Sequence, residues 1–192
     1  MRVSQLQSHS LPHSRTRFSG LQKLLHWLMA ALILTMLFVG VGMVFTVSQA
    51  HDTLIDLHRP LGIALLVLVI VRIVVRLRRG APALPDSMPV LQRAVAKGSH
   101  LVLYALMLAM PLVGWGMVSA GGYPVTMAGA FHLPPILPAN VQLFALLRAL
   151  HTWLALALFA VVLMHLAAAL LHALILRDGV FATMAPGARQ RR

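Results

Sequence analysis

Four long apolar stretches are the feature that most limits how this chain can fold. They cover residues 24–47, 57–75, 101–120 and 150–176, and a helix needs about 20 such residues to cross the hydrocarbon core of a bilayer. A chain of 192 residues with 59% hydrophobic and 10% charged residues cannot bury them all in one water-soluble core. We therefore predict an all-α membrane protein, a bundle of four transmembrane helices.

Local signals refine the predicted spans. Pro60 is expected in the first turn of the second span, where its missing N–H leaves no hydrogen bond unmade, and Pro111 should kink the third. A short loop is expected over 48–56 and a longer one over 121–149, irregular in its first half because it is rich in Gly and Pro. Asn140 is predicted to cap a helix that continues into the fourth span.

The distribution of basic residues predicts the orientation. Of the 16 Lys and Arg residues, all except Arg59 and Arg148 precede the first span, join the second to the third, or follow the fourth. By the positive-inside rule both termini are cytoplasmic. The net charge of +12 is therefore explained by basic residues that set the orientation of the protein in the lipid membrane. No nucleic-acid partner is expected. Residues 1–16 are expected to be a disordered cytoplasmic tail, 17–186 the transmembrane domain and 187–192 a basic cytoplasmic tail.

The amino-acid composition excludes several kinds of functional site. The chain has no cysteine, which excludes disulfides, iron–sulfur clusters and thioether-attached haem. Its four acidic residues, all aspartate, disfavour paired-carboxylate catalysis and carboxylate-rich metal sites. The ten histidines are the remaining candidates for functional side chains.

Six histidines lie in or at the edges of the predicted spans. Histidines within a membrane are rare and usually functional, because both ring nitrogens need partners there. The six are His26, His58, His100, His151, His165 and His172, whereas His9, His13, His51 and His132 fall in predicted tails or loops.

Depth divides the six histidines into two groups. His58 and His151 lie towards the far, periplasmic side, and the other four lie towards the cytoplasmic or near side. Two imidazoles from different helices, facing each other at one depth, match axial ligation of haem iron, with the macrocycle between helices. A zinc site would need four convergent ligands, so haem is favoured over zinc. A haem-free transporter or structural bundle is the third interpretation.

Several motifs resemble one known family. They are RFSGLQ at 17–22 followed by His26-Trp27; His58 with Gly62, then VRIVVRL at 71–77; HLVLY at 100–104 with Pro111 and Gly114; and His151, then HLAAALLH at 165–172 and Arg177-Asp178. In this order and spacing the chain resembles the prokaryotic cytochrome b561 proteins from residue 17 to 186.

The resemblance implies a multi-pass protein of the bacterial inner membrane whose bundle encloses two haems b. By that resemblance, His58 and His151 ligate the periplasmic haem iron, and His26 and His165 the cytoplasmic one. It also implies that His100 and His172 lie near haem propionates or a quinone. Arg59 and Arg148, the two periplasmic cations, are expected to pair with propionates or to attract an anionic substrate.

Two functions follow from the resemblance. The first is an oxidoreductase that passes electrons between the periplasmic face and the ubiquinone pool, with superoxide as the donor, as in a superoxide oxidase. The second is a di-haem membrane anchor that accepts electrons from a separate periplasmic dehydrogenase or cytochrome.

Overall fold

The computed structural model of the protein describes residues 17–85, 88–127 and 131–186. The two predicted tails, with His9 and His13, lie outside these residues. Four long helices dominate the described chain: α1 Gly20–Phe45, α2 Gln49–Arg79, α3 Val90–Ala120 and α4 Val141–Leu170. All four are long and apolar enough to cross a membrane. The prediction of a four-helix membrane bundle is confirmed.

Polar caps fix where the helices begin. The Ser19 side chain accepts a hydrogen bond from the Gln22 amide while the Gln22 side chain accepts one from the Ser19 amide, which forms a capping box. The predicted cap of α4 is confirmed, since the Asn140 side chain accepts from the Leu143 amide at 2.9 Å. These interactions satisfy amide donors that have no partner within the helix.

The second span departs from its prediction. α2 begins at Gln49, so most of the predicted 48–56 loop is helical, and Pro60 lies in the helix interior and not in the first turn. The Ser48 side chain accepts from the Ala50 amide at 3.4 Å and starts the helix early. The reason for the error is that apolarity marks the part of a helix within lipid, whereas a capped helix extends beyond it into water.

The helices pack as a chain of neighbours. α1 packs against α2, α2 against α3 and α3 against α4, whereas α4 makes at most marginal contact with α1 and α2 among the described residues. A small core of Met29, Leu66 and Val69 joins α1 to α2. A gap therefore separates α4 from the α1–α2 pair, and side chains alone can approach each other across it.

The connection between α3 and α4 is more ordered than predicted. Strands β1 Val125–Met127 and β2 Phe131–Leu133 pair antiparallel, with Thr126 opposite His132. The Trp115 indole donates to the Pro134 carbonyl at 3.1 Å. This bond ties the segment after the hairpin to α3.

The chain after α4 returns towards the start of α1. A π-helical turn, Leu171–Leu176, continues α4, and α5, Val180–Met184, follows it. The Trp27 indole donates to the Met184 carbonyl at 3.1 Å, and the Lys23 ammonium donates to the Ala185 carbonyl at 3.1 Å. These bonds close the end of the bundle that carries most of the cations.

The absence of cysteine allows the predicted orientation to be tested with single cysteines. Val47→Cys lies in the exposed α1–α2 connection and Ala81→Cys in the exposed segment after α2. We expect a membrane-impermeant maleimide to label Val47→Cys in intact spheroplasts and Ala81→Cys only after permeabilisation, because basic segments remain cytoplasmic. The reverse pattern would contradict the predicted orientation.

Candidate functional site

One pair of imidazoles faces across the bundle on the far side. His58 of α2 and His151 of α4 have ring centroids 6.1 Å apart and ring planes inclined at 69°. The Nδ1 atom of each ring is buried without a hydrogen-bond partner. An unsatisfied buried polar atom is costly, so two such atoms in facing rings indicate a site that binds something besides protein.

The near side brings three histidines together. His165 of α4 lies 6.3 Å from His26 of α1, with ring planes at 77°. It also lies 5.6 Å from His100 of α3, with planes at 73°. Within residues 17–85, 88–127 and 131–186, however, no group of three or more His or Asp residues is arranged to hold a metal ion. The described residues thus offer imidazole pairs and not the four ligands that structural zinc requires.

The ring spacings fit an ion held midway between two imidazoles. A metal–imidazole bond of about 2.0 Å and a ring radius of about 1.1 Å place two axial rings roughly 6.2 Å apart. The His58–His151 and His26–His165 separations, 6.1 and 6.3 Å, match this value. The His100–His165 separation of 5.6 Å is too short. Both matching pairs also reach across the gap beside α4.

The other two histidines of the spans are engaged by protein. His100 Nδ1 lies 2.6 Å from the Ala96 carbonyl. His172 Nδ1 lies 2.6 Å from a carboxylate oxygen of Asp178, and its Nε2 lies 3.4 Å from the Gln92 side-chain nitrogen. With Nδ1 as donor and Nε2 as acceptor, His172 has both ring nitrogens satisfied, which suits a role other than iron ligation.

Gly62 and Gly114 differ in what lies beside them in the bundle. A Cβ at Gly114 would lie 3.2 Å from Cε1 of His151, so the missing side chain lets this ring pack against α3. A Cβ at Gly62 would meet the Met36 methyl group at 3.8 Å and would not reach His58.

The two periplasmic cations lie in different surroundings. Arg59 is half-buried beside His58 and interacts with it electrostatically. Arg148 is exposed on α4, three residues before His151. Arg59 is thus better placed than Arg148 to interact with a group bound between His58 and His151.

A cluster on the near side was only partly visible in the sequence. Arg72 donates from Nε to the Tyr104 hydroxyl at 3.0 Å. Arg72 and Arg76 place their guanidinium carbons 5.8 and 5.7 Å from the centroid of the Tyr104 ring. A small cavity beside the cluster is lined by Phe18, Gln22, Leu25, Arg72, Val75, Arg76, Tyr104 and Met184. In the sequence the two arginines and Tyr104 appear only as members of separate motifs, because nothing in their spacing reveals a contact between helices.

Comparison with known families agrees with this geometry. The model of the family described as prokaryotic cytochrome b561 matches residues 17–187, nearly the whole chain. The chain belongs to the prokaryotic cytochrome b561 family. Members of this family carry haem b and transfer electrons in the membrane, and the facing imidazoles described above fit such a group.

Individual relatives cover the chain almost end to end. It is similar to cytochrome b561 homolog 2 of Escherichia coli, with 29% identity across 91% of this chain and 94% of that protein. It is also similar to the probable superoxide oxidase CybB of Yersinia pestis, with 30% identity across 90% and 98%, and to cytochrome b562 of Cereibacter sphaeroides, with 30% identity across 87% and 94%.

The carboxylate of Asp178 links the π-helical turn to α5. Slight burial acts to raise the pKa of Asp178, but hydrogen bonds from the Val180 amide and the His172 ring outweigh it and hold the pKa below its ordinary value. The charged form is therefore the stabilised one in this cytochrome. Its contribution is present above the ordinary value of 3.8 and is lost as the pH falls through the lower folded value.

Asp178→Asn should lower the thermal unfolding midpoint at pH 7, because the amide binds His172 and the Val180 amide more weakly than the carboxylate does. The difference in unfolding midpoint between the variant and the parent protein should shrink as the pH falls below about 4, because the carboxylate is then protonated in the parent. Unfolding in detergent, followed by circular dichroism, measures both midpoints. Asp56→Asn, at an exposed position of α2, is the matched control; an equal effect there would contradict a specific role for Asp178.

Proposed function

We propose that this protein is a di-haem cytochrome of the bacterial inner membrane. His58 and His151 would ligate the far-side haem, and His26 and His165 the near-side haem. The observation that carries the proposal is the pair of ring separations, 6.1 and 6.3 Å, across the gap beside α4. In this scheme residues 17–186 are the haem-binding domain, and the two flanking segments are cytoplasmic tails.

The bound haem would supply one-electron chemistry, and two axial imidazoles would leave its iron without an open position for oxygen. The chain's own part is to hold the ligands and exclude water. His151 and His165 are fourteen residues apart on α4, which places them on nearly the same face and about 21 Å apart along the helix axis. One continuous helix therefore supports a ligand at each level and connects the two faces of the membrane.

We propose superoxide as the periplasmic donor and ubiquinone as the acceptor. The similarity to a probable superoxide oxidase supports this choice. Arg59 beside His58 would attract a small anion to the far side, with the exposed Arg148 contributing less. His100 and His172, at the other end, would lie near the haem propionates or the quinone, where His172 has a hydrogen-bonding partner on each ring nitrogen.

Ligand assignment is tested by removing one imidazole at a time. His58→Ala or His151→Ala should reduce haem content from two to one per chain, and His26→Ala or His165→Ala should remove the other haem, because one axial ligand is insufficient to hold it. His100→Ala is the matched control and should retain both. Haem quantitation of the purified variants measures this; loss of iron from His100→Ala with retention in His26→Ala would contradict the near-side pairing.

The donor and acceptor are tested by enzymatically generated superoxide. The purified two-haem protein should reduce a soluble ubiquinone analogue, and superoxide dismutase should abolish the reduction. Arg59→Gln should slow it several-fold through weaker attraction of the anion, whereas Arg78→Gln, at the opposite end of α2, should not. No superoxide-dependent reduction, together with co-purification of a periplasmic redox protein, would favour the membrane-anchor function.

A further inference from the structure

Two guanidinium groups enclose one tyrosine at the near-side end of the bundle. Arg72 and Arg76 are four residues apart on α2 and so share a helix face, and both contact Tyr104 of α3. All three residues line the cavity described above. The ring face of tyrosine attracts cations. This attraction offsets part of the repulsion between the two like charges.

Arg72 is fixed at three points. Its Nε donates to the Tyr104 hydroxyl at 3.0 Å, and its NH1 lies 4.0 Å from Sδ of Met29, a residue of the buried core. Its guanidinium also contacts the Tyr104 ring. A long arginine side chain normally samples many rotamers, so these contacts restrict the charge of this half-buried residue to one position.

The position of this charge coincides with the near-side imidazoles. Arg72 NH1 contacts Met29, which follows His26 by three residues and so lies one turn along the same face of α1. Its charge acts on His26, His100 and His165. Among the described residues, no carboxylate forms an ion pair with Arg72 or Arg76. An uncompensated cation within a membrane protein is costly and usually functional.

The far side has a different charge balance. Arg59 adjoins His58, but Asp52 and Asp56 lie within seven residues of it on the same helix. With Arg148, the far side carries equal numbers of positive and negative side chains. The two imidazole pairs therefore lie in fields of unequal strength, the near-side field being the more positive.

We propose that Arg72, positioned by Tyr104, is a fixed charge that holds the reduction potential of the near-side haem above that of the far-side haem. This inference rests on the two-haem assignment proposed above. Reduction lowers the charge of a haem by one, so a nearby cation favours the reduced state by an amount that grows as distance and dielectric constant fall. The higher potential on the near side draws electrons towards the cytoplasmic face.

The test is a redox titration of the purified, haem-loaded protein, followed optically. Two midpoint potentials are expected, and the His58→Ala variant, which keeps the near-side haem alone, identifies which belongs to that haem. Arg72→Gln should lower the near-side potential and leave the far-side potential unchanged. Arg72→Lys should recover part of the shift, and Tyr104→Phe should lower the near-side potential by a smaller amount because the guanidinium loses its acceptor.

Arg78→Gln is the matched control, since it removes the same charge from an exposed position on the same helix and should shift neither potential. The inference is overturned if the near-side haem has the lower potential in the parent protein, if Arg72→Gln shifts both haems equally or neither, or if Arg78→Gln shifts the near-side haem as much. If the Arg72→Gln variant loses the near-side haem, the Tyr104→Phe variant provides the test instead. An unchanged near-side potential in the Tyr104→Phe variant would reject the inference. Fewer than two haems per parent chain would instead reject the two-haem assignment itself.

Discussion

The facing imidazoles are the constraint on which the rest of this structure depends. A histidine buried in a membrane must satisfy two ring nitrogens, and in the far-side pair the Nδ1 atoms of His58 and His151 find no protein partner. The bundle accommodates this by keeping α4 away from α1 and α2 while packing it against α3. The two rings of each pair approach each other across the resulting gap.

α4 has the largest share in this arrangement. It supplies one imidazole to each pair, and its π-helical turn begins at Leu171, immediately before His172. Such turns are rare in proteins, and those that occur often lie at functional sites. Here the turn holds a histidine whose ring nitrogens meet Gln92 and Asp178, whereas His151 and His165 of α4 face histidines of other helices.

Basic residues have two separate effects in this protein. The excess of basic residues at one end predicts how the chain is oriented in the membrane. Within that same end, Tyr104 and Met29 hold Arg72 inside the bundle, where its field acts on the near-side rings. The first effect needs only the number of cations on each side, whereas the second needs one cation fixed at one place.

The sequence by itself determined the four spans, the cap at Asn140 and the six membrane histidines, because hydropathy, capping and the cost of burying imidazole are properties of single segments. It misplaced the start of α2, since a capped helix continues into water beyond its apolar part. Only the tertiary structure decided which rings meet: His165 has both His26 and His100 nearby, with ring separations of 6.3 and 5.6 Å. The same holds for the contact of Arg72 with Tyr104, thirty-two residues apart in the chain, because such contacts depend on how helices pack and not on the period of any one helix.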